Sequence, residues 1–334
     1  MIIIGLLIIA IGAFCQSSCY VPINKIKSWS WESYWIVQGF FAWLLLPFLG
    51  ALLAVPEGHS LGELFAADPK ATFMTIFYGA LWGVGGLTFG LSMRYLGVAL
   101  GQSIALGTCA GLGTILAPLF TGQASSITTA VIIGVVVTLI GIAIIGVAGS
   151  MKANSLSEEE KKKAVKDFNF PKGIAVALLA GFMSACFNIG LYQGSEIHFD
   201  GVNPMFTTLP ATFLVTLGGF ITNAVYCFYQ NSRNSTWADY SNGSVWVNNL
   251  IFCLLAGALW YSQFFGLALG KGFLTESPTL FTFAFCILMA LNVVFSNVWG
   301  IILKEWKGCS RNTITVLIIG IIVLIVSSFL PQLI

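Results

Sequence analysis

The chain has 334 residues, 57% of them hydrophobic and 8% charged, with a mean hydropathy of +0.90 and a formal net charge of +2. A water-soluble domain carries roughly a quarter charged residues. This composition therefore excludes a water-facing surface over most of the chain and makes lipid its solvent. Ten stretches reach the length of about 20 mainly apolar residues that a spanning helix needs. They are residues 2–22, 34–55, 72–92, 97–119, 126–149, 173–193, 205–229, 247–268, 279–303 and 313–331. The first begins MIIIGLLIIAIGAFC with no basic residue ahead of it, and Lys25 and Lys27 follow it. It is expected to be a permanent span rather than a cleaved signal. The fold class expected is all-α and polytopic.

One gap, 151–172, reads as a linker, with SLSEEEKKKAVKDF at its centre. Ser157 with Glu160 fits a capping box, and Glu158–Lys162 and Glu159–Lys163 fit i,i+4 pairs, so a short surface helix is expected there. The linker separates five spans in 1–150 from five in 173–334. Gly79-Ala80-Leu81-Trp82 opens the third span in this reading, and Gly257-Ala258-Leu259-Trp260 the corresponding span of the second half. An odd number of spans per half makes the second copy inverted in the membrane, a recurring transporter plan. Of the 15 Lys and Arg, all but Lys70 and Lys271 fall in odd-numbered loops. The positive-inside rule then places the odd loops and the linker in the cytoplasm and both termini outside.

The polar chemistry is sparse. His59, His198 and all four aspartates lie in loops, and none of the eight cysteines shows CxxC spacing. No metal site, cofactor or hydrolytic constellation is expected, nor a nucleic-acid partner. Gly83-x-Gly85-Gly86 sits in an apolar helix rather than after a strand, which suits close helix packing and not a phosphate loop. The uncharged polar residues within spans carry more. Gln16, Thr88, Gln102, Asn188, Asn223 and Gln263 are candidates for the path of a neutral, hydroxyl-rich solute. The alternative for each is an interhelical hydrogen bond. Trp82 and Trp260 join them, because indole faces suit the apolar faces of sugars. Trp29, Trp31 and Trp35 surround Glu32 at the inner end of the second span and read as interfacial aromatics.

At this point the segments YVPINKIKSWSWE (Tyr20–Glu32), GALWG (Gly79–Gly83), GLSMRYLG (Gly90–Gly97), VNPMFTTLP (Val202–Pro210), WYSQFF (Trp260–Phe265) and LKEW (Leu303–Trp306) become informative together. In this order, across nearly the whole chain, they resemble the L-rhamnose–proton symporter family of the drug/metabolite transporter superfamily. The resemblance implies two inverted five-helix repeats in a bacterial cytoplasmic membrane and uptake of a deoxyhexose driven by protons. Glu32, the acid within a family-like motif, becomes the candidate for proton coupling. Gly85-Gly86-Leu87 and the ninth span depart from the family pattern by carrying fewer polar and aromatic side chains than expected. The alternatives left open are export or facilitated passage of another small metabolite, and a membrane sensor or scaffold without turnover.

Overall fold

The computed structural model describes residues 1–96, 98–155, 169–241, 243–304 and 306–334. The capping box and ion pairs expected at 157–163 lie outside the described residues. Within them the chain is helical, and ten helices are long and apolar enough to cross a membrane. We number these α1 (Ile2–Ile23), α2 (Trp31–Leu52), α3 (Pro69–Met93), α4 (Gly101–Phe120), α5 (Thr129–Asn154), α6 (Phe170–Gln193), α7 (Leu209–Asn234), α8 (Gly243–Gly272), α9 (Pro278–Ile302) and α10 (Arg311–Leu333). All ten expected spans are present.

Their ends follow local chemistry. Asp68 accepts the Ala71 N–H at 2.8 Å through its side chain, and Pro69 takes the first helical position. A capping acid followed by Pro is a strong start signal. Helix α3 therefore begins well before Gly79, and the GALW quartets do not open their helices as expected. Both lie near mid-helix. Thr128 and Ser310 cap α5 and α10 by accepting the Val131 and Thr313 N–H groups. Lys271, expected in an outer loop, is instead in the last turn of α8 and only 5% exposed, with its ammonium 5.2 Å over the Tyr192 ring. The ring face offers that cation part of what water would.

Contacts divide the chain into two compact units, each drawn from both halves of the sequence. The first comprises Met1–Gly83 and Gly190–Thr275. Here α1 lies along α8, brought close by small residues: a Cβ added at Gly12 would stand 2.7 Å from the Ser262 carbonyl oxygen. Close backbone approach at glycine is how helices gain packing energy in lipid. Helix α2 packs against α7 and α8. The second unit comprises Val84–Ile189 and Glu276–Ile334. In it α5 runs beside α10, with Thr138 donating to the Ser327 hydroxyl at 3.0 Å, and α4 and α9 complete the packing. The outer faces are rich in exposed apolar side chains such as Ile3, Ile132 and Ile318, as lipid requires.

Helix α2 is irregular. Phe40–Leu45 is π-helical, and the Leu46 N–H reaches back to the Phe41 carbonyl. The cause is Pro47. It has no N–H to give the Trp43 carbonyl, and its ring would press on that carbonyl in a regular helix. A widened turn just before the proline relieves the clash. It also rotates every later side chain by one residue's worth of helix, about 100°.

Candidate functional site

The first unit brings an aromatic cluster together at mid-helix. Trp82 from α3 and Trp260 from α8 lie with ring centroids 5.7 Å apart and planes inclined at 35°. Trp43, delivered by the π-turn of α2, meets both edge-on, at 6.1 Å from Trp82 and 5.8 Å from Trp260. Trp35 continues the cluster at 5.5 Å from Trp43, and Phe264 packs 5.2 Å from Trp260. Pairs of this kind contribute about 0.5–1.5 kcal/mol each beyond the area they bury. Trp43 is buried, whereas Trp82 and Trp260 are half-buried and keep part of their ring surface open.

Polar residues accompany the rings, and one of them, Asn223, fixes Trp35. Asn223 accepts the Trp35 indole N–H at 3.0 Å and donates back to the Gly219 carbonyl of its own helix at 2.9 Å. Gln263, one turn beyond Trp260, donates to the Trp260 carbonyl at 3.2 Å. Of the expected path residues, the structure thus joins Trp82, Trp260, Asn223 and Gln263. Gln16 lies on the last turns of the first span, where its side-chain oxygen accepts from Ser17 at 3.5 Å.

Thr88, Gln102 and Asn188 belong to the second unit. Thr88 donates back to the Val84 and Gly85 carbonyls of its own helix. Gln102 is half-buried on α4. Asn188 is fully buried and donates to the Gly113 carbonyl at 2.8 Å, a bond between α6 and α4. A groove of about 610 Å³ between α4 and α5 is lined by Ser103, Gly107, Leu139, Ile142, Gly146 and Val147, among others. Leu139 and Val147 are exposed there, so the groove faces the lipid side.

A polar network lies at the start of α2. Glu32, in the first turn of that helix, is 5% exposed. One of its carboxylate oxygens accepts from the Asn234 amide and the Thr236 hydroxyl, each at 2.9 Å. The Thr236 hydroxyl is also 2.8 Å from the Asn231 side-chain oxygen. That oxygen stands 3.0 Å from the Ser33 hydroxyl, which lies 2.7 Å from Asp239. The Ser30 N–H completes the Asp239 site at 2.8 Å. Each hydroxyl has one proton and two acceptors, so the carboxylates of Glu32 and Asp239 compete with one amide oxygen for the same two donors. Asp239 lies outside the spans. Burial raises its pKa, but the Ser30 N–H and the Ser33 hydroxyl outweigh that and hold the carboxyl below its usual range. Trp29 donates its indole N–H to the Asp239 carbonyl at 2.9 Å, and Trp35 donates to the Asn223 side-chain oxygen at 3.0 Å.

Sequence reasoning does not single out Trp43 or Asp239. Pro47, four residues after Trp43, is the available signal for the first. No group of three or more metal-ligating side chains occurs among the described residues, and all eight cysteines are free.

Residues 1–333 match the family described as L-rhamnose-proton symport protein (RhaT). A protein of Yersinia pestis (strain Pestoides F) named L-rhamnose-proton symporter is 31% identical over 342 aligned positions, covering 98% of this chain and 96% of that protein. One of the same name from Cronobacter sakazakii (strain ATCC BAA-894) is 32% identical with the same coverage. The match runs from end to end and takes in every helix described above. The chain belongs to the L-rhamnose-proton symport protein family.

Proposed function

We propose that this protein is a secondary transporter that brings L-rhamnose into the cell with a proton, across the bacterial cytoplasmic membrane. The observation that carries the substrate class is the pairing of Trp82 with Trp260 at mid-helix. A deoxyhexose has apolar C–H faces and a rim of hydroxyls. Partly open indole planes suit the faces, and neutral amides such as Gln263 suit the rim without placing a fixed charge in the membrane.

The reading includes two inverted five-helix repeats, 1–150 and 173–334. Its support is a reciprocal contact. Gly79 on α3, the third helix of the first half, abuts the Val215 carbonyl of α7, the second helix of the other half. Gly257 on α8, the third helix of the second half, would place a Cβ 2.8 Å from Phe41 and 3.0 Å from the Ala42 N on α2. The same glycine of the same quartet thus meets the equivalent partner in each half. With the basic residues of the odd loops inside, both termini lie outside.

Glu32 is the proton-coupling group in this reading. It is a shielded acid whose carboxyl ties the start of α2 to the end of α7. A proton on it exchanges an accepting oxygen for a donating one, and so changes that tie. The test is proton movement itself. Adding L-rhamnose to de-energised, lightly buffered cells that make the protein should turn the medium alkaline, and cells with Glu32→Gln should show no such change. Sugar entry without alkalinisation in the wild type would remove the proton from the account.

A further inference from the structure

Trp43 has three properties that helix packing alone does not require. Its indole Nε1 is buried and has no hydrogen-bond partner. Buried donors without partners are uncommon, because each has given up its hydrogen bond to water and gained none in the protein. Its position depends on the π-turn Phe40–Leu45, and such turns occur often at functional sites. Its ring is in edge contact with both Trp82 and Trp260.

The surroundings also make room for it. A Cβ at Gly39 would lie 2.5 Å from the Trp43 ring, so only glycine leaves the space the indole occupies. Gln38, on the preceding turn, likewise has a buried side-chain oxygen without a donor. The same helix thus carries a buried N–H and a buried C=O without partners, and a hydroxyl group could satisfy either. A charged ligand would find no fixed charge on these groups.

We propose that Trp43 is a substrate-binding residue whose indole N–H donates a hydrogen bond to one hydroxyl oxygen of the sugar lying against Trp82 and Trp260. The proposal rests on the reading of those two rings as the sugar platform. Nε1 is covered in the conformation described, so the sugar reaches it as the neighbouring rings shift. Proline-driven widening of α2 is then the means by which the fold aims a donor at the solute.

The test pairs Trp43→Phe with a series of monodeoxy analogues of L-rhamnose, measured as KM for uptake by the full-length protein in membranes. Phenylalanine keeps an aromatic ring and removes the N–H. The KM for L-rhamnose should rise about two- to tenfold, the effect of removing one hydrogen bond. For one analogue, the one lacking the accepting hydroxyl, wild type and variant should share the same KM. An equal penalty for every analogue, or no penalty for any sugar, overturns the proposal. If Trp43→Phe does not reach the membrane, β-(3-benzothienyl)alanine at position 43 keeps the indole shape without the N–H, and the same two outcomes decide. Failure of the platform reading is separable: Trp82→Ala and Trp260→Ala would then leave the KM for L-rhamnose unchanged, whatever Trp43→Phe does.

Discussion

The rings of Trp82 and Trp260 stand 5.7 Å apart although they come from opposite halves of the sequence. Each follows a Gly-Ala-Leu triplet, and that glycine lets the helix close on its neighbour. If the pair is the sugar platform, Trp260→Ala should raise the KM for L-rhamnose by roughly tenfold and Trp260→Phe by about two- to threefold, the scale expected when an aromatic surface is removed or made smaller. Initial uptake rates, corrected for protein in the membrane, measure this. An unchanged KM in Trp260→Ala would assign the pair to helix packing.

Glu32 and its two donors make a second prediction. Glu32→Gln should abolish uphill accumulation while sugar still equilibrates across the membrane, and its uptake should no longer respond to external pH. Thr236→Val removes one of the two donors but leaves the Asn234 amide in place. It should therefore weaken accumulation without abolishing it. Accumulation ratios measured between about pH 5.5 and about pH 8, where ordinary carboxylates stay ionised, check both. Normal accumulation by Glu32→Gln at every pH would take the residue out of the mechanism.

Asp239 gives a pH dependence with a definite sign. Its carboxyl is held below the ordinary value by the Ser30 N–H and the Ser33 hydroxyl, against the opposing effect of burial. In the unfolded chain an aspartate titrates at about 3.9. The Asp239 contribution to stability is therefore present above that pH and is lost as pH falls through the lower folded value. In detergent, wild type should melt above Asp239→Asn at neutral pH, and the gap should close on acidification below about pH 4. A gap that stays constant or widens in acid would contradict this origin.

Orientation is tested by labelling. With Cys309 replaced by Ser, an impermeant thiol reagent should modify His198→Cys in intact cells. It should reach Lys307→Cys only after the cells are opened. The opposite pattern would invert the topology.

The long apolar runs make all ten helices legible, because a span leaves a 20-residue signal that side-chain detail cannot hide. Charge position supplies an expected orientation, which the labelling decides. What escapes are features set by local backbone chemistry and by contacts far apart in sequence. Asp68-Pro69 carries the true start of α3, and a hydropathy window passes over it. Lys271 reads as a loop residue because it is charged, yet the helix continues through it and a tyrosine face shelters it. The site divides in the same way. Trp82 and Trp260 can be paired through their shared quartets, and Gln263 through helical spacing. Trp43 cannot, because a regular helix would aim it elsewhere, and only the π-turn before Pro47 brings it to the other two rings. Asn188 illustrates the opposite case: a buried amide in a span is visible in sequence, but its bond to the Gly113 carbonyl is not.

The central claim is that L-rhamnose moves with a proton. The most direct measurement is uptake of labelled L-rhamnose by membrane vesicles or proteoliposomes containing only this protein, with an inward proton gradient imposed and then collapsed by a protonophore. Accumulation above the external concentration under the gradient, falling to equilibrium when it is collapsed, is the result the account predicts. Accumulation that ignores the protonophore, or no entry of L-rhamnose while another solute is accumulated, would contradict it.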